Sequence, residues 1–474
     1  MTYFFETYGC QMNIAESAAI EQLLISRGWE KSPDAETADL VIINTCAVRA
    51  TAENRIFGRL GWYAGLKAVR ACVNGAKAKS LEKAVDYVKD GAKPLTLVVT
   101  GCMAERLLKT FKTEYPFIDY VVGTYAKQHF VEIAEAMENH TVTPQLRDDE
   151  LYRFAPLSYE PGAFSAFVPI MHGCNKFCTF CIVPYVRGRE LSRPVEEIIH
   201  EIDVLSSYRV REITLLGQTV DAYKMTDKDG KEVDFADLLE RIAIHLKEIN
   251  SSIEWVRFMS SHPNDMTEKA IKVIAKYPVL CHHIHLAVQH GSTPLLKKMN
   301  RRYTIEYYEE LVSIIRKHIP DVSLTTDLMM GFPGETEEEV EATLGLMNRV
   351  RYENAFMYYY NPREGTPAAK YPNQIPLKVK KERLQRVIDL QLKITSEEME
   401  KRVGGKVKVL VEAVSRDDKS ELLGKTEQDE RVAFKADESL IGGFCYVKII
   451  SLNGNTFKGQ LIEDSVKHLE EKDL

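Results

Sequence analysis

The feature that most constrains this chain is a set of three closely spaced cysteines between residues 167 and 194. Cys174, Cys178 and Cys181 have the spacing C-x3-C-x2-C and follow a short apolar run that ends at Gly173. The apolar run predicts a buried strand, which places the cysteines on the loop after it. Cysteine thiolates hold iron–sulfur clusters, so this triple suits three irons of one 4Fe–4S cube and leaves the fourth iron open.

An iron with an open position can be chelated by the amino and carboxylate groups of S-adenosylmethionine (SAM). The reduced cluster can then pass an electron to the sulfonium and release a 5′-deoxyadenosyl radical. The alternative interpretation is a structural zinc site, which requires a fourth Cys or His at zinc-ligand spacing. His172 is nearby, but its close spacing to Cys174 is poor for a closed tetrahedral site. The pattern therefore favours a cluster with SAM on the open iron.

Size and composition limit the possible settings of this motif. A chain of 474 residues predicts about three domains. It has no apolar run of 18 residues and no signal peptide, so we expect a cytoplasmic protein with no membrane partner. Nine cysteines, several of them clustered, then indicate metal binding or catalysis rather than disulfides.

The net charge of −7 gives no global nucleic-acid signature, so any phosphate-binding patch must be local. Two basic stretches near the expected active site are candidates, residues 297–303 and residues 187–193. A basic run is more often a solvated face, and that alternative stays open for both.

The N-terminal third predicts an open α/β sheet. Strands are expected at residues 2–7, 39–44 and 94–100, with helices from about 15 to 27 and from about residue 50. Ligands of such sheets bind beyond the carboxyl ends of the strands, and Cys10, Cys46 and Cys102 each lie at such an end. A single cysteine is more often a small buried apolar residue, but three equivalent positions predict a second three-cysteine cluster.

The remaining cysteines have no partner at ligand spacing. Cys72 lies in a helical, Lys- and Ala-rich stretch, while Cys281 and Cys445 lie in or beside predicted core strands. We expect all three to be buried structural thiols.

The middle of the chain, after a linker at 140–165, predicts a partial β/α barrel. Strand-like runs occur at residues 166–171, 212–216, 253–259, 283–288, 322–330 and 355–360. Amphipathic helical stretches such as 194–206 and 336–349 separate them. The chemistry of such barrels lies at the carboxyl ends of the strands.

Polar and glycine residues at these strand ends are the candidate SAM contacts. They are Gln218, Gln289, Thr326, Gly331 and Glu335. Gly331 belongs to a Gly-Phe-Pro-Gly turn whose glycine would let the backbone approach a ligand closely. The alternative for this turn is a tight loop followed by a helix cap.

The C-terminal region changes character after a long charged helix predicted at 375–401. Short strands are predicted at residues 406–411, 431–434, 445–450 and 455–461. Four or five short strands in so few residues suit a small β-barrel of the kind that binds single-stranded nucleic acid. The alternative is a packing domain, and residues 424–428 show no catalytic pattern.

Taken together, these motifs resemble the radical-SAM methylthiotransferases over nearly the whole chain. The matching segments are Gly9–Asn13, Asn44–Arg49, Gly101–Ala104, Cys174–Pro194 and a TRAM-like region at 404–462. The resemblance implies an N-terminal domain at 1–140, a radical-SAM domain at 160–400 and a TRAM domain at 403–467. The sequence departs from the family pattern at His172, often Arg, at Ala287 and His290, and in an apparent insertion within 66–93.

The resemblance also implies an activity. The six cysteines would hold two 4Fe–4S clusters, and two SAM would be used to methylthiolate C2 of N6-isopentenyladenosine beside the tRNA anticodon. Gln11-Met12-Asn13 favours the tRNA branch, since the ribosomal-protein branch typically has Pro-Lys-Asn there. Expected partners are the tRNA anticodon loop and an electron donor such as a flavodoxin or ferredoxin, with the enzyme a monomer.

Other functions remain open at this point. A methylthiotransferase could act on N6-threonylcarbamoyladenosine in tRNA or on a ribosomal-protein aspartate. A protein of another class, an iron–sulfur electron carrier or RNA-binding scaffold, could share the cysteines without cleaving SAM.

Overall fold

The computed structural model describes residues 1–47, 50–71, 94–141 and 152–462. The chain divides into two compact units. The first contains residues 1–161 together with 167–175 and 182–191, and the second contains 162–166, 176–181 and 192–474. The loop of closely spaced cysteines thus contributes Cys174 to the first unit and Cys178 and Cys181 to the second.

The first unit contains a five-stranded parallel sheet with the strand order β2-β1-β3-β4-β5. Its strands are β1 (Thr2–Thr7), β2 (Glu30–Lys31), β3 (Leu40–Thr45), β4 (Thr96–Gly101) and β5 (Tyr120–Val122). Its helices are α1 (Gln11–Ser26), α2 (Ala50–Arg70), α3 (Cys102–Arg106), α4 (Leu108–Glu114) and α5 (His129–Asn139). The open α/β sheet is confirmed, although the sequence did not predict the short strands β2 and β5.

Strand β3 shows why this sheet is buried on both faces. Val41 and Ile43 pack into one apolar cluster with residues of α2 and α4, and Leu40 and Ile42 pack into another with residues of α1 and α5. A continuous apolar strand of this kind is typical of a parallel sheet covered by helices on both sides. The two polar residues of β3, Asn44 and Thr45, lie at its carboxyl end.

The second unit contains the predicted partial barrel. The strands of this part of the chain, in order, are β6 (Ser165–Pro169), β7 (Met171–His172), β8 (Leu191–Ser192), β9 (Glu212–Leu216), β10 (Lys224–Thr226), β11 (Glu232–Asp234), β12 (Trp255–Phe258), β13 (His283–His285), β14 (Ser323–Met330) and β15 (Asn354–Tyr359). Of these, β7 belongs to the first unit, β6 and β8 have residues in both units, and β9–β15 belong to the second unit. Strand β12 pairs in parallel with β9, and β14 pairs in parallel with β13 and β15. A parallel bridge from Ser261 to Leu286 joins the two groups just beyond β12 and β13.

Helices separate most of these strands along the chain. They are α6 (Val183–Val186, in the first unit), α7 (Val195–Ser207), α8 (Phe235–Glu248), α9 (Glu268–Lys276), α10 (Thr293–Lys298), α11 (Ile305–His318), α12 (Glu337–Val350) and α13 (Leu377–Glu400). Side-chain caps fix several of their first turns: Thr336 and Glu339, for example, form a capping box at the start of α12. The β–α alternation confirms the partial barrel.

A closed five-stranded barrel follows α13. It consists of β16 (Lys406–Val414), β17 (Glu421–Thr426), β18 (Arg431–Lys435), β19 (Phe444–Asn453) and β20 (Thr456–Leu461), in the order β16-β17-β18-β20-β19. The small β-barrel is confirmed, and β17 is the strand that the sequence did not predict. Its Gly424–Thr426 part belongs to the stretch that resembles a TRAM domain and has no catalytic pattern.

Two expectations about the rest of the chain can be compared with the structure. Cys281 and Cys445 are buried, as predicted, and burial raises the pKa of each thiol to about 12. Cys72 lies outside the described residues. Among the helices that the structure describes, none has the length and apolar character that crossing a membrane requires.

Candidate functional site

The first unit brings Cys10, Cys46 and Cys102 together at the carboxyl edge of its sheet. Cys10 follows β1, Cys46 follows β3 and Cys102 begins α3 directly after β4. A Cβ placed on Gly9 would lie 2.7 Å from Cys46 Cβ and 3.2 Å from Cys46 Sγ, so the Cys10 loop contacts Cys46. Gly9 has a φ of +130°, in the region that favours glycine.

Two asparagines tie the first two loops together. Asn13 Nδ2 donates to Asn44 Oδ1 at 3.1 Å and to the Thr45 carbonyl at 2.9 Å. Asn44 Nδ2 donates in return to the Asn13 carbonyl at 2.9 Å. Both side chains are buried, and the reciprocal bonds fix the Cys10 loop against the Cys46 loop.

A threonine and a glycine fix the third loop. Thr45 Oγ1 donates to the Thr100 carbonyl at 2.5 Å and accepts from the Ala104 amide at 3.2 Å. Gly101 has a φ of +95°, and a Cβ there would lie 2.4 Å from both Asn44 Oδ1 and the Thr45 carbonyl. In the sequence, Asn13, Asn44, Thr45 and Gly101 appear only as members of the cysteine motifs. Their closeness to the cysteines along the chain is the one sign that they position them.

A buried charge cluster adjoins Cys102. Arg187 Nε donates to Cys102 Sγ at 3.1 Å, and its Nη1 donates to Glu16 Oε1 at 2.7 Å. Lys127 forms a second close ion pair with Glu16. Burial acts against ionisation of Glu16, but Arg187 and Lys127 lower the pKa of its carboxyl to about 2. Glu16 therefore stays ionised at neutral pH.

Burial and neighbouring charges both shift the pKa of the Cys102 thiol. Burial is the largest cause that raises the pKa of Cys102 to about 11; Arg187 acts in the opposite direction, and Glu16, Cys46 and Cys10 add to the increase. A thiolate at Cys102 requires a compensating positive partner, which Arg187 supplies in part.

His172, the position at which the sequence departs from the family pattern, also lies in this region. Its ring stacks on Tyr152 with centroids 3.6 Å apart and packs edge-on against Tyr125. Burial, then the charges of Arg187 and Lys127, lower its pKa well below the usual value, so the imidazole is neutral. Within the described part of the chain, its Nε2 atom has no hydrogen-bond partner.

The structure bears on whether Cys10, Cys46 and Cys102 could hold a single metal ion. None of the eight cysteines in the described ranges forms a disulfide. Among the described residues, no three His, Cys, Asp or Glu side chains are close enough to hold one metal ion. The ligands of a cubane sit on different irons and so stand farther apart than ligands of one zinc.

In the second unit, backbone and amide hydrogen bonds hold the segment that carries Cys178 and Cys181. The Thr179 amide donates to the Met299 carbonyl at 3.0 Å, and its carbonyl accepts from the Ala368 amide at 2.9 Å. Asn300 Nδ2 donates to the carbonyls of Lys176 and Phe177 at 3.1 and 3.0 Å. This segment is thereby fixed beside the loop that follows α10.

These bonds place the two cysteines at the carboxyl ends of the barrel strands. Arg301 Nη1 donates to Cys178 Sγ at 3.5 Å, and Arg301 Nη2 donates to the Ala287 carbonyl just beyond β13. Burial raises the pKa of Tyr358, on β15, well above its usual value, and a charge on Cys181 adds to this effect.

Gln289 and Thr326 are both part of a polar network at this edge. Gln289 Oε1 accepts from Tyr358 Oη at 2.6 Å, and its Nε2 donates to Asp327 Oδ2 at 3.3 Å. Thr326 Oγ1 donates to the Leu286 carbonyl at 2.8 Å and accepts from the Val288 amide at 2.9 Å. Thr326 therefore ties β14 to the end of β13.

Gly331 and Glu335 contact each other in the turn after β14. The Gly331 amide donates to both carboxylate oxygens of Glu335, at 2.9 and 2.8 Å. The same carboxylate accepts from His290 Nε2 at 3.0 Å and from Arg383 Nη1 at 2.8 Å. Glu335 is buried and its oxygens already have several donors, so its observed role is to shape this turn. Gln218 is half-buried on the loop after β9.

Three arginines of the two basic stretches contradict the prediction that these stretches contact phosphate. Arg187, Arg193 and Arg301 are at most 5% exposed and so cannot bind phosphate on the surface. Arg187 and Arg301 bond to cysteine sulfurs, and Arg193 pairs with Glu201. That interpretation is wrong for these three residues and remains open for the exposed residues Arg189, Lys297, Lys298 and Arg302.

The loop at the end of β17 attaches the small barrel to the larger one. Lys425 Nζ pairs with Glu212 at 2.6 Å, at the start of β9. Arg257 Nη2 and Nη1 donate to the carbonyls of Thr426 and Glu427 at 2.7 and 2.6 Å. These residues are thus used in docking within the second unit.

Three family models match the chain. They are described as the Radical SAM superfamily, at residues 168–347, the uncharacterized protein family UPF0004, at 2–123, and the TRAM domain, at 400–462. These matches and the site geometry define a radical-SAM enzyme, a class whose members use 4Fe–4S chemistry and SAM.

Curated relatives narrow the class. The chain is 50% identical to the tRNA-2-methylthio-N(6)-dimethylallyladenosine synthase of Treponema denticola, over 97% of this chain and 100% of that protein. It is 46% identical to the synthase of Treponema pallidum subsp. pallidum, with 98% and 100% covered. The synthase of Clostridium botulinum strain Loch Maree is 40% identical, with 97% of each covered. The chain belongs to this family of radical-SAM methylthiotransferases.

Solved structures agree at the level of the fold. The cobalamin- and 4Fe–4S-bound radical SAM methyltransferase TsrM from Kitasatospora setae matches with a TM-score of 0.54 and 16% identity. The match covers 78% of this chain and 77% of that one. A second TsrM structure, with tryptophan and a SAM analogue bound, gives a TM-score of 0.52.

Proposed function

We propose that the chain methylthiolates C2 of N6-isopentenyladenosine beside the anticodon of tRNA. The observation that carries the proposal is the second set of three cysteines, gathered at the sheet edge of the first unit of a radical-SAM chain. Relatives that share 40–50% identity over nearly their full length are named for this product. The alternative substrates, another modified adenosine or a ribosomal-protein aspartate, have no such support.

Each cysteine set has its own role in the proposal. Cys10, Cys46 and Cys102 hold one 4Fe–4S cluster, and Cys174, Cys178 and Cys181 hold the other. The C–H bond at adenine C2 is neither acidic nor electrophilic enough for acid–base chemistry, so the cofactors must supply one-electron chemistry when bound. The chain's own residues hold the thiols in place and bury them: Cys46, Cys102, Cys174 and Cys178 are all under 9% exposed.

The candidate SAM contacts divide into two groups. We propose that Gln218 and Gln289 face SAM, because their amides lie at strand ends and offer both donors and acceptors. Thr326, Gly331 and Glu335 complete the SAM site by fixing the backbone of β14 and its turn. Gln289→Ala should therefore raise the KM for SAM, whereas Glu335→Gln should chiefly lower stability.

The exposed side of the small barrel suits the RNA backbone. Lys406 on β16 and Lys448 on β19 are directly opposite each other and exposed. Like charges in this position destabilise a sheet, and an anionic partner would relieve that repulsion. Tyr446 lies beside them, with Lys406 Nζ 4.3 Å from its ring centroid. We propose that this face contacts the tRNA near the anticodon loop.

The RNA-contact proposal has a matched test. The pair Lys406→Glu, Lys448→Glu should weaken tRNA binding and reduce the salt dependence of the binding constant, by about one phosphate contact per lysine. Lys419→Glu, Lys435→Glu makes the same charge change at exposed positions of the same barrel and serves as control. Equal weakening by both pairs would indicate a general charge effect and contradict a specific surface.

The remaining parts of the proposal concern the setting of the enzyme. A one-electron reaction needs an external reductant, and we propose a flavodoxin or ferredoxin as the class of donor. We further propose a cytoplasmic monomer that meets tRNA after transcription. A loop base suits it, because an unstacked base can be splayed into a pocket at modest cost.

The reaction is tested by isotope labelling and by nucleoside analysis. Mass spectrometry of tRNA from a deletion strain should show N6-isopentenyladenosine without the 2-methylthio group. With substrate deuterated at C2, deuterium should appear in 5′-deoxyadenosine, and two SAM should be consumed per product. Deuterium only in solvent, or equal reaction of unmodified adenosine, would contradict the mechanism or the substrate. Failure of the loaded protein to cleave SAM would favour the electron-carrier alternative.

A further inference from the structure

We propose that Arg187 and Arg301 are the charge partners of the two clusters, each binding one cysteine sulfur of its own set through a buried guanidinium. The inference rests on the cluster assignment in the proposed function and adds a positioning residue to each cluster. Both arginines come from basic stretches that resemble phosphate-binding sequences, but the structure directs them to sulfur.

Arg187 lies in the first unit beside Cys102. It is 2% exposed, and its Nε–H donates to Cys102 Sγ at 3.1 Å. Glu16 and Asn13 hold the rest of the guanidinium, at 2.7 Å from Nη1 and 3.4 Å from Nη2. Glu16 also pairs with Lys127, so two cations face one carboxylate when both are protonated. One positive charge is then left over next to the cysteine set.

Arg301 lies in the second unit beside Cys178. It is 5% exposed and donates to Cys178 Sγ at 3.5 Å, to Tyr303 Oη at 3.0 Å and to the Ala287 carbonyl. None of these partners is a carboxylate. A buried charge without a partner is costly, so the arrangement calls for an anion at the Cys178 sulfur.

The two sites therefore have the same arrangement of charges. Each has a buried cation whose charge is not fully balanced by a carboxylate, and each directs an N–H group at a cysteine sulfur. A cluster held by thiolates becomes more negative on reduction, and hydrogen bonds to sulfur together with net charge set its potential. Both arginines should consequently stabilise the reduced state of the adjacent cluster.

The prediction is specific to each cluster. Arg187→Gln should lower the reduction potential of the cluster held by Cys10, Cys46 and Cys102 and leave the other unchanged. Arg301→Gln should lower the reduction potential of the cluster held by Cys174, Cys178 and Cys181 and leave that of the first cluster unchanged. The lysine variants keep the charge but lose the planar fork that reaches several acceptors, so each should show a smaller shift than its glutamine counterpart.

Redox titrations followed by electron paramagnetic resonance test this in full-length protein that holds only one cluster. The backgrounds are the triple alanine variants of either cysteine set, with iron content near four per chain confirming that the remaining cluster is loaded. Iron counting separates the two hypotheses: loss of the cluster assignment would appear as missing iron in the parent backgrounds, before any arginine is changed.

Arg193→Gln is the matched control, since Arg193 is 1% exposed and in the same stretch as Arg187 but pairs with Glu201. It should leave both potentials unchanged. The proposal is overturned if the arginine variants leave the potential of their own cluster unchanged, or if Arg193→Gln shifts it equally. Where a glutamine variant fails to load iron, the lysine variant decides by the same criterion.

Discussion

Cys174, Cys178 and Cys181 lie within eight positions of the chain, whereas Cys10, Cys46 and Cys102 come from three strands of a sheet. The first set is a motif of local spacing, and any chain that forms the loop brings its members near one another. The second set exists only when β1, β3 and β4 are aligned in register. The Cys174 set therefore depends on the conformation of one loop, whereas the Cys10 set depends on the folded sheet.

The hydrogen bonds at the two sites reflect this difference. Side chains hold the gathered set, since Asn13, Asn44 and Thr45 join the loops that carry its cysteines. In the local set, the segment at residues 176–181 is tied largely through its own backbone groups to the loop after α10 and to Ala368. Substitutions near the two sites should thus have unequal consequences.

The largest expected effect comes from removing either set entirely. Alanine at Cys174, Cys178 and Cys181 should remove about half of roughly eight irons per chain and all SAM cleavage. Alanine at Cys10, Cys46 and Cys102 should remove the other half of the iron and leave SAM cleavage without substrate intact. Iron analysis and 5′-deoxyadenosine production measure both outcomes. Full iron retention in the second variant would rule out a cluster at the sheet edge.

The same comparison explains how far the sequence could predict this protein. The local motif and the period of the strands follow from short-range patterns, so the partial barrel and the Cys174 set were predictable. Cys10, Cys46 and Cys102 could be grouped because parallel strands end at a common edge. The short strands β2 and β5 and the strand β17 were missed, because two or three residues, or a strand with glycine and charges, carry little periodicity.

The partners of the cysteines were not predictable in the same way. Arg187 and Arg301 appear in the sequence as members of basic stretches, which usually indicate a solvated face or a phosphate contact. Their burial depends on residues far along the chain, Glu16 for Arg187 and Ala287 for Arg301. Glu335 likewise has ordinary motif context in sequence, and only the fold shows that His290 and Arg383 share its carboxylate.

An intermediate effect is expected from loosening one site without touching a cysteine. Asn44→Ala removes bonds to Asn13 and Ser17 and leaves buried polar groups without partners, at a cost of about 1–3 kcal/mol. It should also release iron from the sheet-edge cluster while SAM cleavage persists. Chemical denaturation and iron analysis measure the two effects.

The matched change at the local site is Thr179→Ala. It removes one half-exposed hydroxyl bond, to the Lys298 carbonyl at 3.0 Å, and leaves the backbone bonds of Thr179 in place. We expect a loss of at most about 1 kcal/mol and full retention of both clusters. Greater iron loss from Thr179→Ala than from Asn44→Ala would reverse the proposed contrast between the sites.

The smallest effect is expected at a buried cysteine that belongs to neither set. Cys281 packs with Trp255, Leu410 and Phe444, where the small barrel meets the larger one. Burial raises the pKa of its thiol to about 12, so it stays protonated and behaves as a small apolar side chain. Cys281→Ala should leave both clusters and SAM cleavage unchanged and cost only about 1–2 kcal/mol for the lost packing. Thermal unfolding and iron analysis of this variant separate burial from ligation, since all three of Cys46, Cys102 and Cys281 are buried but only the first two lie at the sheet edge. Loss of iron on changing Cys281 would show that burial and a strand position are not enough to tell a structural cysteine from a ligand in this chain.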